Sequence, residues 1–209
     1  ISYNGNGGTV TGSSKTVTYD AKYGTLATAT REGYTFAGWY TAASGGTNIT
    51  STSTVKITAN TTLYAHWTAN TYKVTLNPNG GSVTPTSMTV TYDGTYKDLP
   101  TPTRDGYAFV GWFTAASGGT QITNTSTVKI TVNTTLYAHW TANIYTVAYD
   151  ANGGTGTMTT DTIAYDSNYT TKANTFTKTG YTFVGWNEKA DGTGTSWTNY
   201  IGKEWKWTY

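Results

Sequence analysis

The 38 residues from Gly33 to Asn70 return as Gly106 to Asn143 at an offset of 73. Only six positions change: Thr35, Ala37, Tyr40, Asn48, Ser51 and Ala59 become Ala108, Val110, Phe113, Gln121, Asn124 and Val132. A looser third copy opens with Gly180-Tyr181-Thr182-Phe183-Val184-Gly185-Trp186. A period of this size is too long for a solenoid turn and suits one small domain. Asn6-Gly7-Gly8, Asn79-Gly80-Gly81 and Asn152-Gly153-Gly154 keep the same spacing, as do Tyr19-Asp20, Tyr92-Asp93 and Tyr165-Asp166. These markers predict modules at 1–69, 70–142 and 143–209. In this alignment Ile1 falls on Val74, inside an expected strand, and Trp205-Lys206-Trp207-Thr208-Tyr209 stands near where Leu-Tyr-Ala-His-Trp is expected. The chain reads as a segment of a longer polypeptide. Arrays of this kind supply reach, valency and stiffness, whereas a catalyst needs one well-built pocket.

Aromatic residues make up 15% of the chain and charged residues only 11%. Tyr, Trp and Thr favour strands, and Gly, Asn and Ser supply turns. The aromatic content excludes a disordered chain. A module of roughly 70 residues is near the lower limit for a self-supporting core. Rings that each bury about 150–250 Å² are an efficient remedy, so core filling is the first reading of the Tyr/Phe/Trp phrases. Cysteine is absent, which removes disulfides, thiolate metal sites and cysteine nucleophiles. The net charge of +2 is evenly spread, with no basic stripe to neutralise phosphates, so nucleic acid is not an expected partner. No transmembrane run is present, and no membrane insertion is expected in this segment.

In the second copy, Tyr72-Lys73-Val74-Thr75-Leu76, Met88-Thr89-Val90-Thr91-Tyr92 and Tyr107-Ala108-Phe109-Val110-Gly111-Trp112-Phe113 read as strands. Asp93 is placed to cap a single helical turn before Pro100 and Pro102. Thr127-Val128-Lys129-Ile130 reads as a short strand or edge, and Thr135-Leu136-Tyr137-Ala138-His139-Trp140 closes the module. Gly38 and Gly111 mark a bulge or a close backbone approach. The Asn-Gly-Gly phrases read as hairpin turns in which Gly takes positive φ. The simplest layering is a small mixed sheet covered on one face by the helical turn and loops. Three residues, Thr141-Ala142-Asn143, separate Trp140 from the next strand, so consecutive modules should touch or be held at a narrow range of angles.

Tyr19-Asp20, Glu32-Gly33-Tyr34-Thr35-Phe36-Ala37-Gly38-Trp39-Tyr40, Gly45-Gly46-Thr47 and Ala59-Asn60-Thr61-Thr62-Leu63-Tyr64-Ala65-His66-Trp67 together resemble the Listeria–Bacteroides repeat, the module of the B-repeat in listerial internalins. The resemblance covers all three modules and weakens after Trp186. It implies a β-grasp-like (ubiquitin-like) fold; with the strand-favouring composition and the short linkers, the expectation is a mainly β fold, α+β at most, of three tandem small β-grasp-like modules arranged as a rod. It also implies an extracellular place, at the bacterial cell surface or secreted, where such repeats serve as spacers or binding modules. No catalytic residue is carried over from the family. The third module departs by lacking the Val-Lys-Ile strand and the Leu-Tyr-Ala-His-Trp ending.

His66 and His139 are the only histidines and have no partner at ligand spacing, so a solvated strand face is expected for them. Asp20, Asp93 and Asp166 follow Tyr at strand ends, which suits a cap or turn role. The third module has more acids (Asp150, Asp161, Asp166, Glu188, Asp191, Glu204), but no motif orders them. Lys56 and Lys129 lie near Asn60 and Asn133, the pairing a Lys–Asn crosslink would need. No catalytic, cofactor or metal site is expected. Trp39, Tyr40, Trp112, Phe113, Trp186 and Trp197 are the candidate ligand-contact aromatics, with Trp205 and Trp207 adding to the third module. The expected function is a non-enzymatic stalk or spacer with weak multivalent binding to a host or cell-wall protein or glycan. The alternative is a dedicated adhesin or glycan-binding module using exposed aromatics.

Overall fold

The computed structural model describes residues 1–197, with the side chain of Trp197 outside the description. The strands are, in the first third, β1 (Ser2–Asn4), β2 (Thr9–Val10), β3 (Ala29–Thr30), β4 (Tyr34–Tyr40), β5 (Asn48–Ile49) and β6 (Thr62–Ala69). Then come β7 (Thr71–Asn77), β8 (Ser87–Thr91), β9 (Tyr107–Phe113), β10 (Gln121–Ile122) and β11 (Thr134–Ala142). The last are β12 (Ile144–Val147), β13 (Asp161–Ala164), β14 (Trp186–Asn187) and β15 (Ser196–Trp197). The expectation of a mainly β chain is borne out, and no helix occurs among the described residues. Two compact units are found: Ile1–Asn79 with Val83–Thr101 and Gly111–Ala138, and Gly80–Ser82 with Pro102–Val110 and the chain from His139 onward.

Two mixed sheets are formed, in the orders β1-β6-β4-β5 and β10-β9-β11-β7-β8. In each, the closing strand lies beside the first strand in parallel, β6 on β1 and β11 on β7. β7 shows why these residues make such a strand: Tyr72, Val74 and Leu76 alternate with exposed Thr71, Lys73 and Thr75, and Val74 and Leu76 are buried. The first core gathers Tyr23, Trp39, Val55, Leu63 and Ala65, with Phe36 and Trp67 packed against it. Simple alternation would send Phe36 and Trp39 to opposite faces. A register shift between Phe36 and Gly38 prevents this, with Gly38 at φ 136°, and both rings meet the core with centroids 5.4 Å apart.

Two expected elements are replaced by loops that pair with each other. Asp93, Lys97 and Asp98 take φ of 60°, 49° and 35° in the order Asp93, Asp98, Lys97, values that no right-handed helical turn allows. Their neighbourhood finds its hydrogen bonds elsewhere: Asp93, Tyr96 and Lys97 N–H groups donate to Val128, Ser126 and Asn124 carbonyls. Thr127–Ile130 is consequently no strand, only a bridge from Thr127 to Thr95. This loop pair buries Tyr96 and Val128, as its counterpart buries Tyr23 and Val55.

The Asn-Gly-Gly turns do take positive φ, 46° at Asn6 and 92° at Gly7, closed by the Gly8 N–H on Gly5 O at 2.9 Å. In the second and third copies they lie in the long connections of the antiparallel pairs β7–β8 and β12–β13, whereas in the first β1 pairs with β6 and β2 with β3. The turn is also tied inward. Asn6 Nδ2 donates to Ala43 O and Ala65 O, both at 3.0 Å, and Trp67 Nε1 donates to Gly5 O at 2.9 Å. Asn79 repeats the clamp on Ala116 O and Ala138 O, and Asn152 donates to Ala190 O.

The second unit contains the antiparallel pairs β12–β13 and β14–β15. Among its described residues from 139 to 196 none is fully buried. Trp186 packs against Tyr149, Phe183 and Phe176 at centroid distances of 4.7, 4.9 and 6.0 Å.

The clamp predicts that Asn6→Ala, which loses two amide hydrogen bonds and leaves a β-carbon at positive φ without local compensation, lowers stability by about 2–3 kcal/mol. Asn6→Gly, which keeps the backbone freedom, should lose less. Urea unfolding of the two variants checks this, and equal midpoints for Asn6→Ala and the parent chain would contradict it.

Candidate functional site

The most highly organised polar cluster lies where one repeat passes into the next. β6 ends at Ala69 and β7 begins at Thr71, so Asn70 alone connects them. The Asn70 N–H donates to Gly33 O at 2.9 Å, and Asn70 O accepts the Tyr92 N–H at 2.9 Å. Thr35 Oγ1 donates to Asn70 Oδ1 at 2.6 Å. One residue is thus bonded to the repeat it leaves and to the repeat it enters.

Around it, a corner of the first repeat meets a turn of the second. Gly33 has φ 76°, and a β-carbon there would stand 2.3 Å from the Tyr92 ring. Both the conformation and the space demand glycine. Tyr34 lies edge-on to Tyr92 at 5.6 Å, with the Arg31 guanidinium 3.9 Å over the Tyr34 ring. The Tyr34 hydroxyl donates to Asp93 Oδ2 at 2.7 Å, and the Lys129 ammonium donates to Asp93 Oδ1. The Lys129 hydrogen bond, then that of Tyr34, holds the Asp93 carboxyl below the usual carboxylate range. The same contacts raise Tyr34 and Lys129 above their ordinary values, in each case chiefly through the bond to Asp93.

The arrangement recurs one period later. Asn143 N–H donates to Gly106 O at 2.9 Å, and Tyr165 N–H to Asn143 O at 2.7 Å. A β-carbon on Gly106 would meet the Tyr165 ring at 2.3 Å. Tyr107 lies edge-on to Tyr165 at 5.5 Å and donates to Asp166 Oδ2 at 3.3 Å, with Arg104 3.8 Å over its ring. Sequence reasoning saw Asp93 and Asp166 as turn residues and missed their partners. The available signal was that Arg-x-Gly-Tyr and Tyr-Asp repeat together with a fixed separation.

The expected contact aromatics fall in different places. Trp39 and Trp112 are core residues, each 2% exposed, with their indole N–H groups on Ala27 O and Pro100 O. Tyr40 is half-buried and stacks on His66 at 3.8 Å. Phe113 is half-buried opposite Gln121. Trp186 is half-buried and donates to Lys172 O at 3.0 Å. Trp197 contributes its backbone to β15, while Trp205 and Trp207 lie outside the described residues. His66 is not the solvated residue expected: it is half-buried, stacked and bonded through Nε2 to Ala42 O.

The lysines are exposed and held by aspartates, Lys56 by Asp20 and Lys129 by Asp93, while Asn133 Oδ1 accepts the Lys73 N–H. In the third repeat Asp161 gathers Lys172, Tyr169 and Tyr149, which lowers the Asp161 pKa through the Lys172 bond first and then the Tyr169 bond. Beside this cluster a groove of ≈1320 Å³ is lined by Tyr149, Phe176, Phe183 and Trp186. No group of three or more His, Asp or Glu suited to a metal occurs among the described residues. No helix among them is long and apolar enough to cross a membrane.

Comparison with known proteins agrees with the periodicity. The profile of the Listeria–Bacteroides repeat domain matches residues 1–66, 72–139 and 145–205. A provisionally named membrane protein of Evansella cellulosilytica is 34% identical over 202 residues, covering 93% of this chain and 29% of its own length. Internalin H of Listeria monocytogenes is 40% identical over 114 residues, covering 54% of this chain and 20% of its own. A provisionally named Gly-rich membrane protein of E. cellulosilytica is 32% identical over 166 residues, covering 78% of this chain and 18% of its own. The chain spans less than a third of the length of each of these relatives.

The sign of the pH dependence at the first joint follows from these shifts. Asp93 has a folded pKa below its unfolded value of about 3.9, so its contribution is complete above that value and is lost as pH falls through the folded pKa. Tyr34 and Lys129 are raised, so theirs is complete below about pH 10 and is lost as pH rises through the raised values. The Asp93 carboxyl carbon, followed by NMR, should titrate below free aspartate and move upward in Lys129→Ala. An unmoved titration would refute the ion pair. Gly33→Ala should separately strip hydrogen-exchange protection from the Asn70 amide, and retained protection would refute the close approach.

Proposed function

We propose a function on one premise: the chain belongs to the Listeria–Bacteroides repeat family. Its role is that of a non-enzymatic spacer in a bacterial extracellular protein, at the cell surface or secreted, with weak multivalent contacts to host or cell-wall protein or glycan. The observation that carries this reading is the joint. A connection of one residue, two backbone hydrogen bonds and a glycine against a tyrosine ring restrict how consecutive repeats bend, and the device is written twice in one chain. A connector that must hold neighbours at a set angle needs such a device; beads on a flexible string do not. The sheet order β10-β9-β11-β7-β8 with its central parallel pair supports a β-grasp-like module in which paired loops stand where a helix would lie.

A second reading, a dedicated adhesin or glycan-binding module, is favoured by one feature. The third repeat exposes Tyr181 at 73% and Phe183 at 48% beside the aromatic groove, and rings of this kind stack on sugars or anchor proteins.

Two measurements separate the readings. Dyes placed on the first and second repeats should report a narrow distance distribution that broadens when Gly33→Ala is combined with Tyr34→Phe and Asp93→Asn. An unchanged width would defeat the spacer mechanism. In a glycan and matrix-protein screen, the spacer predicts at most weak binding that grows with the number of repeats. Tight binding confined to the third repeat would transfer the function to its groove.

A further inference from the structure

β8 (Ser87–Thr91) closes one side of the sheet β10-β9-β11-β7-β8, and among the described residues β7 is its one strand neighbour. It belongs to the middle repeat, with a repeat before it and another after it in the sequence, so this edge is not made by a chain terminus. The Leu76 N–H donates to Thr86 O at 2.8 Å, and the Tyr92 N–H to Asn70 O at 2.9 Å. In an antiparallel pair such bonds recur at every second residue, so the peptide groups of Met88 and Val90 face β7. Those of Ser87, Thr89 and Thr91 face away from the sheet. Thr91 O accepts the Gly94 N–H at 3.0 Å, and the rest of this outer row has no strand beside it among the described residues. Thr89 and Thr91 are exposed.

Open strand edges are ordinarily guarded by charge, by proline or by a bulge that twists them away. The 73-residue period puts Lys15, Met88 and Asp161 at one and the same position. In the third repeat β13 is guarded. Lys172 Nζ pairs with Asp161 Oδ1 at 2.6 Å and donates to Thr159 O at 3.1 Å and Thr160 O at 3.4 Å. Ala164 O accepts the Ser167 N–H at 3.2 Å. Thr160 and Ala164 stand where Ser87 and Thr91 stand in the second repeat, so the outward carbonyls of β13 are occupied. In the first repeat Lys15 places its ammonium on Tyr23 O and Thr25 O, both at 2.6 Å. The second repeat has methionine instead, and no residue from Thr86 to Thr91 is charged. Its register with β7 runs unbroken from Thr71 opposite Thr91 to Thr75 opposite Ser87, with no bulge.

We propose that β8 is a docking edge for the β8 of a second copy of this chain, joined antiparallel about a two-fold axis at Thr89. The contact goes beyond the spacer reading, because it ties molecules side by side. The edge is complementary to itself. With Thr89 opposite its own copy, Ser87 meets Thr91 and Met88 meets Val90. Hydroxyl side chains then oppose hydroxyl side chains on the exposed face, and apolar ones oppose apolar ones on the face where Val90 is buried. No charge is brought against a like charge within the pair. The two outer rows supply about six backbone hydrogen bonds. Asp93, at φ 60°, falls opposite Pro85, so a turn and a proline end the pairing on both sides. The interface is isologous and extends one sheet into the other by strand addition. A strand of five residues buries far less area than a stable dimer needs, so the association is weak.

The test uses the whole chain, isotope-labelled and followed by NMR diffusion and amide exchange from about 0.05 to about 5 mM, a range that brackets weak, millimolar pairing. Diffusion is expected to slow towards that of a dimer as concentration rises, and the Ser87 and Thr89 amides to gain protection. Thr89→Pro removes an outward N–H and none of the bonds to β7, and should weaken association at least about tenfold. Thr162→Pro, the same change on guarded β13, should leave it unaltered. Thr89→Lys and Thr89→Glu each set like charges across the axis at an exposed position, so they keep the fold and weaken pairing. An equimolar mixture of the two should restore it. A chain that stays monomeric at the highest concentration overturns the proposal. So does a dimer that survives Thr89→Pro or is lost equally in Thr162→Pro, and so do charge variants that mixing does not rescue. None of these results bears on the distance distribution within one chain, so failure here is distinguishable from failure of the spacer reading.

Discussion

A single residue, Asn70, governs how this chain can be built. The strand that completes one sheet runs straight into the strand that begins the next, and Asn70 has no slack to give. Its amide and carbonyl must find partners at once, and they find them on opposite sides of the boundary, at Gly33 and Tyr92. That bracketing brings the Gly33–Tyr34 corner onto the Tyr92–Asp93 turn. The polar contacts follow from this placement. Asn143 imposes the same geometry one period later, which is why the second joint reproduces the first despite the looser third repeat.

The contributions to the joint are unequal. The Lys129–Asp93 pair is largely exposed, and such pairs add little on their own in water. The backbone bonds fix the main chain itself, and a side chain at Gly33 would have to accept a φ of 76° and displace the packed Tyr92 ring. The glycine therefore constrains the joint more tightly than the aspartate does. The second joint is consistent with this order: the Tyr107–Asp166 bond lengthens to 3.3 Å while the spacing of Gly106 from Tyr165 is kept.

The period, the main strands and the reset at Gly38 were legible because they rest on alternation and on glycine, both local in sequence. The loop pair at 93–97 and 124–128 was not. Asp93 before a polar stretch carries a helix-cap signal, but Tyr96 and Val128 gain burial only if the two loops turn inward together. That is tertiary packing overriding a local preference. The core role of Trp39 and Trp112 was the first reading of the aromatic phrases; what the sequence did not give was the carbonyl partner of each indole, since Ala27 and Pro100 carry no mark of it. The joint was hidden for a related reason. Tyr34 and Asp93 are 59 residues apart, and each looks complete as a corner or a turn until the two are brought together.

The third repeat shows what happens when the same frame is given different residues. Asp161, Lys172, Tyr149 and Tyr169 form a polar knot, with Lys172 also donating to Thr159 O and Trp186 bonded to Lys172 O. Charged hydrogen bonds of this kind specify geometry strongly but do little to withdraw apolar surface from water. Tyr181, Phe183 and Val184 are accordingly left at 73%, 48% and 92% exposure.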